Sequence, residues 1–291
     1  MATLHTDLAQ VVNGIQTFWA PDFDMKLLET FKLAALINKT PGGIGMIREG
    51  DTIKVNQINE MTGAIQDINA SCVYDTEILQ SQQVEIKVDR RAYAALSFCD
   101  LDELMSQINM NRPDVRDKMA HAMASQINTY LYGKVSCTVD NPTTAVFDAS
   151  ELVKLTKQAN QAFWPTGNRW LFVDPCYYAD LMSDATLVSG DFGSTDRVVI
   201  GGEIVNQRYG WNIVVDNSAA MLTALNGGAP GVALAFLPDF MGMVRSYENR
   251  VKVSDAHSNC EWRFRMTVDS VFGADLLNDG ADKCITTRTG A

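Results

Sequence analysis

The stretch Arg169-Trp170-Leu171-Phe172-Val173-Asp174-Pro175-Cys176-Tyr177-Tyr178 changes character at its midpoint. Trp170 to Val173 is a short continuous apolar run, the pattern of a strand buried on both faces. Asp174-Pro175 closes it, because proline has no N–H to give a ladder and its fixed φ suits the first turn of a helix. Residues 177–184 then read as a short helix. Working outward, 149–163 predicts a helix capped by Asp148 or Ser150, and Asp140-Asn141-Pro142 is a loop signal ahead of it. Ile213-Val214-Val215 and residues 232–237 predict further strands. Residues 141–237 therefore alternate helix and strand as an α/β block.

The flanks are of other kinds. Upstream, Val115, Met119, Met123, Ile127 and Leu131 recur every four residues from Pro113 until Gly133, which predicts a helix of about 20 residues and roughly 30 Å. Ala120, Ala122 and Ala124 keep that rod slim enough to pack on more than one side. Val84, Ile86 and Val88 alternate with Glu85, Lys87 and Asp89, and Ile53, Val55 and Ile58 form an earlier strand signal. The polar stretch 59–83 between them, with its Thr62-Gly63 turn, reads as a long two-stranded excursion, too thin to be stable without a partner surface. Residues 24–38 predict a short helix on Met25, Leu28, Phe31 and Leu36, within an N-terminal arm that ends at Pro41-Gly42-Gly43. The last third is strand-rich: Val251 and Val253, a turn at 255–259, then Trp262, Phe264, Met266 and Val268 in alternation.

With 46% hydrophobic and 20% charged residues over 291, the composition is that of a folded globular protein. No apolar run reaches the roughly 18 residues of a membrane span, and the N-terminus lacks a basic start followed by an apolar block, so a chain made and kept in a cytoplasm is expected. A net charge of −11 argues against a dedicated nucleic-acid-binding module. Six cysteines (Cys72, Cys99, Cys137, Cys176, Cys260, Cys284) stand singly without a Cys-x-x-Cys pair, which predicts reduced thiols and excludes a zinc ribbon.

Chemistry-bearing motifs are weak. Gly42-Gly43-Ile44-Gly45 has Arg48 where a third glycine would stand, and no Gly-Lys-Ser/Thr follows; a hinge explains it better than a phosphate loop. Asp100, Asp102 and Glu103 precede Leu104-Met105 and Ile108, where acidic residues cap a helix rather than hold a cation. His257 and Cys260 make two ligands, short of a metal site. With three histidines and no acid–base pair in view, no catalytic residue, metal or cofactor is expected.

The order of arm, long hairpin, rod helix, α/β block and strand-rich return resembles the α+β fold of tailed-phage major capsid proteins. The residues that carry the resemblance are Val84 to Asp89 leading through Tyr93-Ala94-Ala95 to Asp100-Leu101-Asp102, and the Trp170/Val173-Asp174-Pro175/Tyr178 step. Ile200-Gly201-Gly202-Glu203-Ile204 through Tyr209-Gly210-Trp211 to Asp216-Asn217 adds to them, with Asp216 where the family usually has serine. Val232 to Phe236 and Val271-Phe272-Gly273-Ala274 resemble the closing strands. The resemblance runs over about residues 50–290.

It implies an N-terminal arm (1–43), an extended β-hairpin loop (44–90), a peripheral domain with a long spine helix (91–140 and 238–270) and an α/β axial domain (141–237 and 271–291). It also implies a non-enzymatic subunit that assembles into hexamers and pentamers of an icosahedral or prolate shell around double-stranded DNA. Portal, decoration and separate scaffolding proteins are the implied partners, with localisation in the virion after assembly in a host cytoplasm. An encapsulin-like bacterial compartment shell shares the same subunit, and a soluble α/β enzyme is the alternative from another class. Residues 56–83 contain no lysine, so a shell without covalent lysine cross-links in that loop is expected. Glu60, Asp67, Asp75 and Glu77 carry the only charges there, while Arg263 and Arg265 share one face of a predicted return strand and Arg250 and Lys252 one face of its expected partner, which together can make a basic stripe. The acidic loop of one subunit is expected to lie across that basic stripe of the next.

Overall fold

The computed structural model describes residues 32–38, 50–58, 81–99, 113–142, 145–184, 187, 199–200, 203–204, 209–246, 250–258, 261–277 and 279–289. Two sheets share one helix. The first has five strands in the order β4 (Val139–Asn141), β13 (Cys284–Arg288), β9 (Val232–Phe236), β5 (Arg169–Val173) and β8 (Trp211–Val215). On β5 and β9, successive side chains go to opposite faces, as the pleat requires. Leu171, Val173, Ala233 and Ala235 face α3 (Ala149–Gln161) and α4 (Pro175–Ser183). Phe172, Val232, Leu234 and Phe236 face α2 (Pro113–Lys134) and α5 (Ala219–Asn226). The result is three layers, helix on sheet on helix, in which the α/β stretch 141–237 is completed by α2, β4 and the C-terminal strand from outside it.

The Asp174-Pro175 step has a clear local cause. Asp174 caps α4 by accepting from the Tyr177 N–H at 2.9 Å, and its other oxygen accepts from the Gly231 N–H at 2.8 Å. One buried carboxylate thus fixes both the start of α4 and the approach to β9. Gly231 holds φ 88° there, a region that disfavours a side chain, and an added Cβ would strike Thr289.

The second sheet is built on β12 (Glu261–Leu276), which pairs with β10 (Met241–Arg245) and β11 (Arg250–Ser258) along one edge and β3 (Arg90–Cys99) along the other. α2 is the element common to both sheets. Met119, Met123, Ile127 and Leu131 form one buried file, and Ala120, Ala124, Asn128 and Tyr132 a second beside it. Two buried files are what a slim helix between two layers needs. α1 (Lys32–Leu36) lies on this junction: Leu33, Ala34 and Ile37 are buried, and Asn38 joins β10 through Met241 and Met243.

β1 (Thr52–Ile58) and β2 (Ser81–Lys87) form a separate two-stranded sheet whose base packs through Val55, Ile86 and Val88 on Val244 and Val271, and β6 (Val199–Ile200) pairs with β7 (Glu203–Ile204) in another. β2 passes so close to β12 that a Cβ on Gly273 would overlap the Lys87 carbonyl, so only glycine fits.

Several expectations change. The turn expected at 255–259 starts later, because Asp255 to Ser258 still pair with Phe264 to Glu261. β12 runs unbroken to Leu276, so a domain boundary at 271 would cut a strand. Of the N-terminal helix only Lys32–Leu36 is described, with Leu33 and Ala34 buried and Leu36 half-buried against the core; Met25, Leu28 and Phe31 lie outside the described residues. Helix α5 and strands β3, β4 and β10 had no clear periodic signal. The cysteines are not all isolated: Cys137 and Cys284, 147 residues apart, form a disulfide with Cα atoms 5.2 Å apart. Singly placed cysteines gave no hint of this, since only the return of β13 beside the end of α2 brings the two together. Gly42 to Gly45, the acidic residues at 100–103 and Cys260 lie outside the described residues.

Candidate inter-subunit surface

Register assembles the basic stripe. Directly opposed residues of an antiparallel pair share a face, as do residues two apart on one strand. Arg250 opposes Asp269, Lys252 opposes Thr267, Ser254 opposes Arg265 and Ala256 opposes Arg263. All four basic positions therefore belong to one face of the β11–β12 ladder. Val251, Met266 and Val268 take the other face and are buried under α2. Lys252 and Arg265 are exposed. The face continues onto β3, where Ser97 opposes Arg265 and Tyr93 opposes Asp269.

One carboxylate interrupts this face and is neutralised. Asp269 is buried, and one of its oxygens accepts from Arg91 Nε at 2.9 Å and Nη2 at 2.6 Å. The stripe thus keeps its positive sign, able to order an acidic extended segment by Coulomb attraction. Glu60, Asp67, Asp75 and Glu77 lie outside the described residues; the structure brings together the basic half of the expected contact only. At the base of the excursion, Lys54 pairs with Glu85 at 3.1 Å, both exposed.

β3 is the feature that the sequence hid. Among the described residues it pairs only with β12, leaving its outer edge open, with Tyr93 66% and Leu96 37% exposed. Between this edge and α2 runs a groove of about 710 Å³ lined by Ala92, Ala94, Leu96, Val115, Met119 and Ala122. Its alanine-rich sequence blurs the alternation that would have marked it as a strand.

Among the described residues no three His, Cys, Asp or Glu side chains converge as a metal site, and no helix is long and apolar enough to cross a membrane. Among the described residues Tyr132, Arg169, Cys176 and Tyr177 are shifted, each first by burial. Three of them sit in or against the α/β core, and the exposed Cys176 thiol is pushed up further by the charges of Asp174 and Asp180.

No family model and no curated protein matches the sequence. Solved structures do match in fold. A structure of Mycobacterium phage Che8 is similar over 89% of this chain and 92% of its own, at 17% identity and a TM-score of 0.67. The capsid subunit of cyanophage Pam1 is similar over 91% and 93%, at 10% identity and 0.67. The virus-like particle from Pyrococcus furiosus is similar over 94% and 98%, at 12% identity and 0.57. The chain has the α+β fold of phage capsid subunits, over nearly its whole length.

Proposed function

We propose that this chain is a structural shell subunit, the major capsid protein of a tailed bacteriophage, which assembles into hexamers and pentamers of a closed shell enclosing viral DNA. The observation that carries this reading is the likeness to the Che8 and Pam1 structures across about nine-tenths of both chains. The architecture supports it physically. A two-stranded sheet such as β1–β2 is at best marginally stable alone, and its base is the part packed among the described residues. The ten-residue strand β3, paired along one edge only among the described residues, likewise calls for a covering partner. Neighbouring copies in closed rings supply such surfaces on every side.

Within this reading, Glu60, Asp67, Asp75 and Glu77 of one subunit lie across Arg250, Lys252, Arg263 and Arg265 of the next. Each exposed pair contributes only about 0–1 kcal/mol, so the contact fixes register and steers assembly more than it adds affinity. The domain division at 44, 91, 141, 238 and 271 belongs to the same proposal, with β3 and β12 running across the divisions at 91 and 271, as do a scaffolding protein, a portal, a decoration protein and non-specific contact with double-stranded DNA. The subunit would assemble in the host cytoplasm and reside in the virion.

Negative-stain microscopy of the purified chain tests it: shells, tubes or hexameric rings are expected, and single particles at all concentrations would refute it. The second reading is an encapsulin-like compartment shell that houses protein cargo, and the likeness to a virus-like particle is compatible with either reading. Nuclease-protected DNA in particles from the native source supports the phage reading; a co-purifying enzyme inside DNA-free shells supports the other.

A further inference from the structure

Helix α3 ends in a Schellman motif. The Trp164 N–H bonds to the Ala159 carbonyl at 2.9 Å and the Phe163 N–H to the Asn160 carbonyl at 3.1 Å. The residue between cap and return must be left-handed, a position that glycine ordinarily fills. Helix α5 obeys this, ending on Gly227 at φ 60°. Helix α3 instead places Phe163 there at φ 56°, strained for a bulky side chain. Among the described residues little packs on it to offset the strain, since Phe163 is 93% exposed. A second strained aromatic lies on the same end of the block: Tyr209 at φ 51° and 46% exposed.

Beside them, the outward file of α3 contributes Val153, 51% exposed, one turn from Lys157. Val153, Thr156, Lys157, Asn160, Gln161 and Tyr209 line a shallow hollow of about 450 Å³, wide enough for a phenyl ring. Its apolar wall is Val153 and Tyr209, and the Lys157 ammonium on its rim can meet an aromatic face. Phe163, Val153 and Tyr209 together expose on the order of 350 Å², from aromatic side chains that each offer 150–250 Å². That is under half of the roughly 800 Å² per partner found in a stable interface. The patch is therefore too small to hold a lone dimer, but fits a ring in which every copy makes the contact twice, once with each neighbour.

We propose that Phe163 is an inter-subunit anchor, its ring seated in the hollow between Val153 and Tyr209 of the adjacent copy in the capsomer ring. This rests on the shell-subunit reading and adds to it a specific contact. The left-handed backbone holds the ring out from the surface, and the strain is offset only when the ring is buried by a neighbour.

The test separates anchor from scaffold because glycine suits the backbone better than phenylalanine does. In the full chain, Phe163→Gly is expected to raise the melting temperature of the unassembled subunit by about 2 °C, yet raise the concentration needed for assembly at least tenfold. Val153→Asp is expected to raise the assembly threshold similarly without moving the melting temperature, and Phe163→Trp to assemble near the wild-type threshold. Wild-type assembly by Phe163→Gly, or a lowered melting temperature, would overturn the anchor role. Wild-type assembly by Val153→Asp would overturn its docking in the hollow. Each of these results leaves the shell reading standing, whereas a wild-type chain that never assembles removes both.

Discussion

Arg169 lies with its guanidinium carbon 5.7 Å from the centre of the Trp211 ring and donates to the Asn160 side-chain oxygen at 2.8 Å and the Pro165 carbonyl at 3.0 Å. A third bond goes to the Trp164 carbonyl at 2.5 Å. The arginine is 1% exposed and is satisfied by neutral acceptors and an aromatic face. It joins β5, β8 and the end of α3 into one unit. Burial lowers its pKa from the usual arginine value, which leaves it charged at any ordinary pH. Arg169→Leu should destabilise the subunit by roughly 3 kcal/mol or more, because three acceptors lose a charged donor; urea unfolding of the unassembled chain measures it.

Two buried tyrosines predict how stability responds to alkali. Tyr132 donates to Asp216, and burial, then the Asp216 charge, holds its phenol well above the usual value. Tyr177 is raised too, by burial and then by Asp174. Above about pH 10 the unfolded chain loses these protons while the folded chain keeps them, so the unfolded state binds fewer protons and stability falls with rising pH. Below that range the two states bind equally and the contribution is constant. Urea midpoints measured from pH 8 to 11 should fall only above about pH 9.5, and the double variant Tyr132→Phe, Tyr177→Phe should be less stable at pH 8 but show a shallower fall.

Gly273 separates a packing requirement from a turn requirement. Its added Cβ would overlap the Lys87 carbonyl, and backbone cannot swing aside as a long side chain can. Gly273→Ala should cost about 3 kcal/mol and loosen the β1–β2 base from β12. Hydrogen exchange at Val84 to Val88, compared with the five-stranded sheet, would show whether the loss is local.

The disulfide joins the end of α2 to the first residue of β13. A loop of this length gives roughly 5 kcal/mol in the chain-entropy account. Dithiothreitol should therefore lower the melting temperature of the wild type and leave that of Cys137→Ser unchanged. Denaturing gels without reductant should still show one band near 32 kDa.

Reversal of charge at Arg263 and Arg265 should impair assembly while the subunit's melting temperature stays within a degree or two, because the stripe faces away from the core. Restoring assembly in part by adding Asp75→Lys and Glu77→Lys would identify the partner. Normal assembly of the arginine variant would remove the loop-on-stripe contact.

Local periodicity was enough to read α2, α3, β5, β9 and the β1–β2 base, since each has a buried face whose spacing is set by its own backbone. Val84, Ile86 and Val88, or Met119 to Leu131, carry that spacing in plain view. β3 and α5 escaped because alanine is compatible with either period, and β4 because it is three residues long. The basic stripe was half legible: alternation placed Arg263 with Arg265 and Arg250 with Lys252, but register alone aligns the two pairs on one face. What only the tertiary structure decided are the relations across distance. Cys137 meets Cys284, Arg91 neutralises Asp269, Lys87 forbids a side chain on Gly273, and Phe163 is left exposed. Each depends on which surface a distant element covers, a quantity that no local pattern encodes.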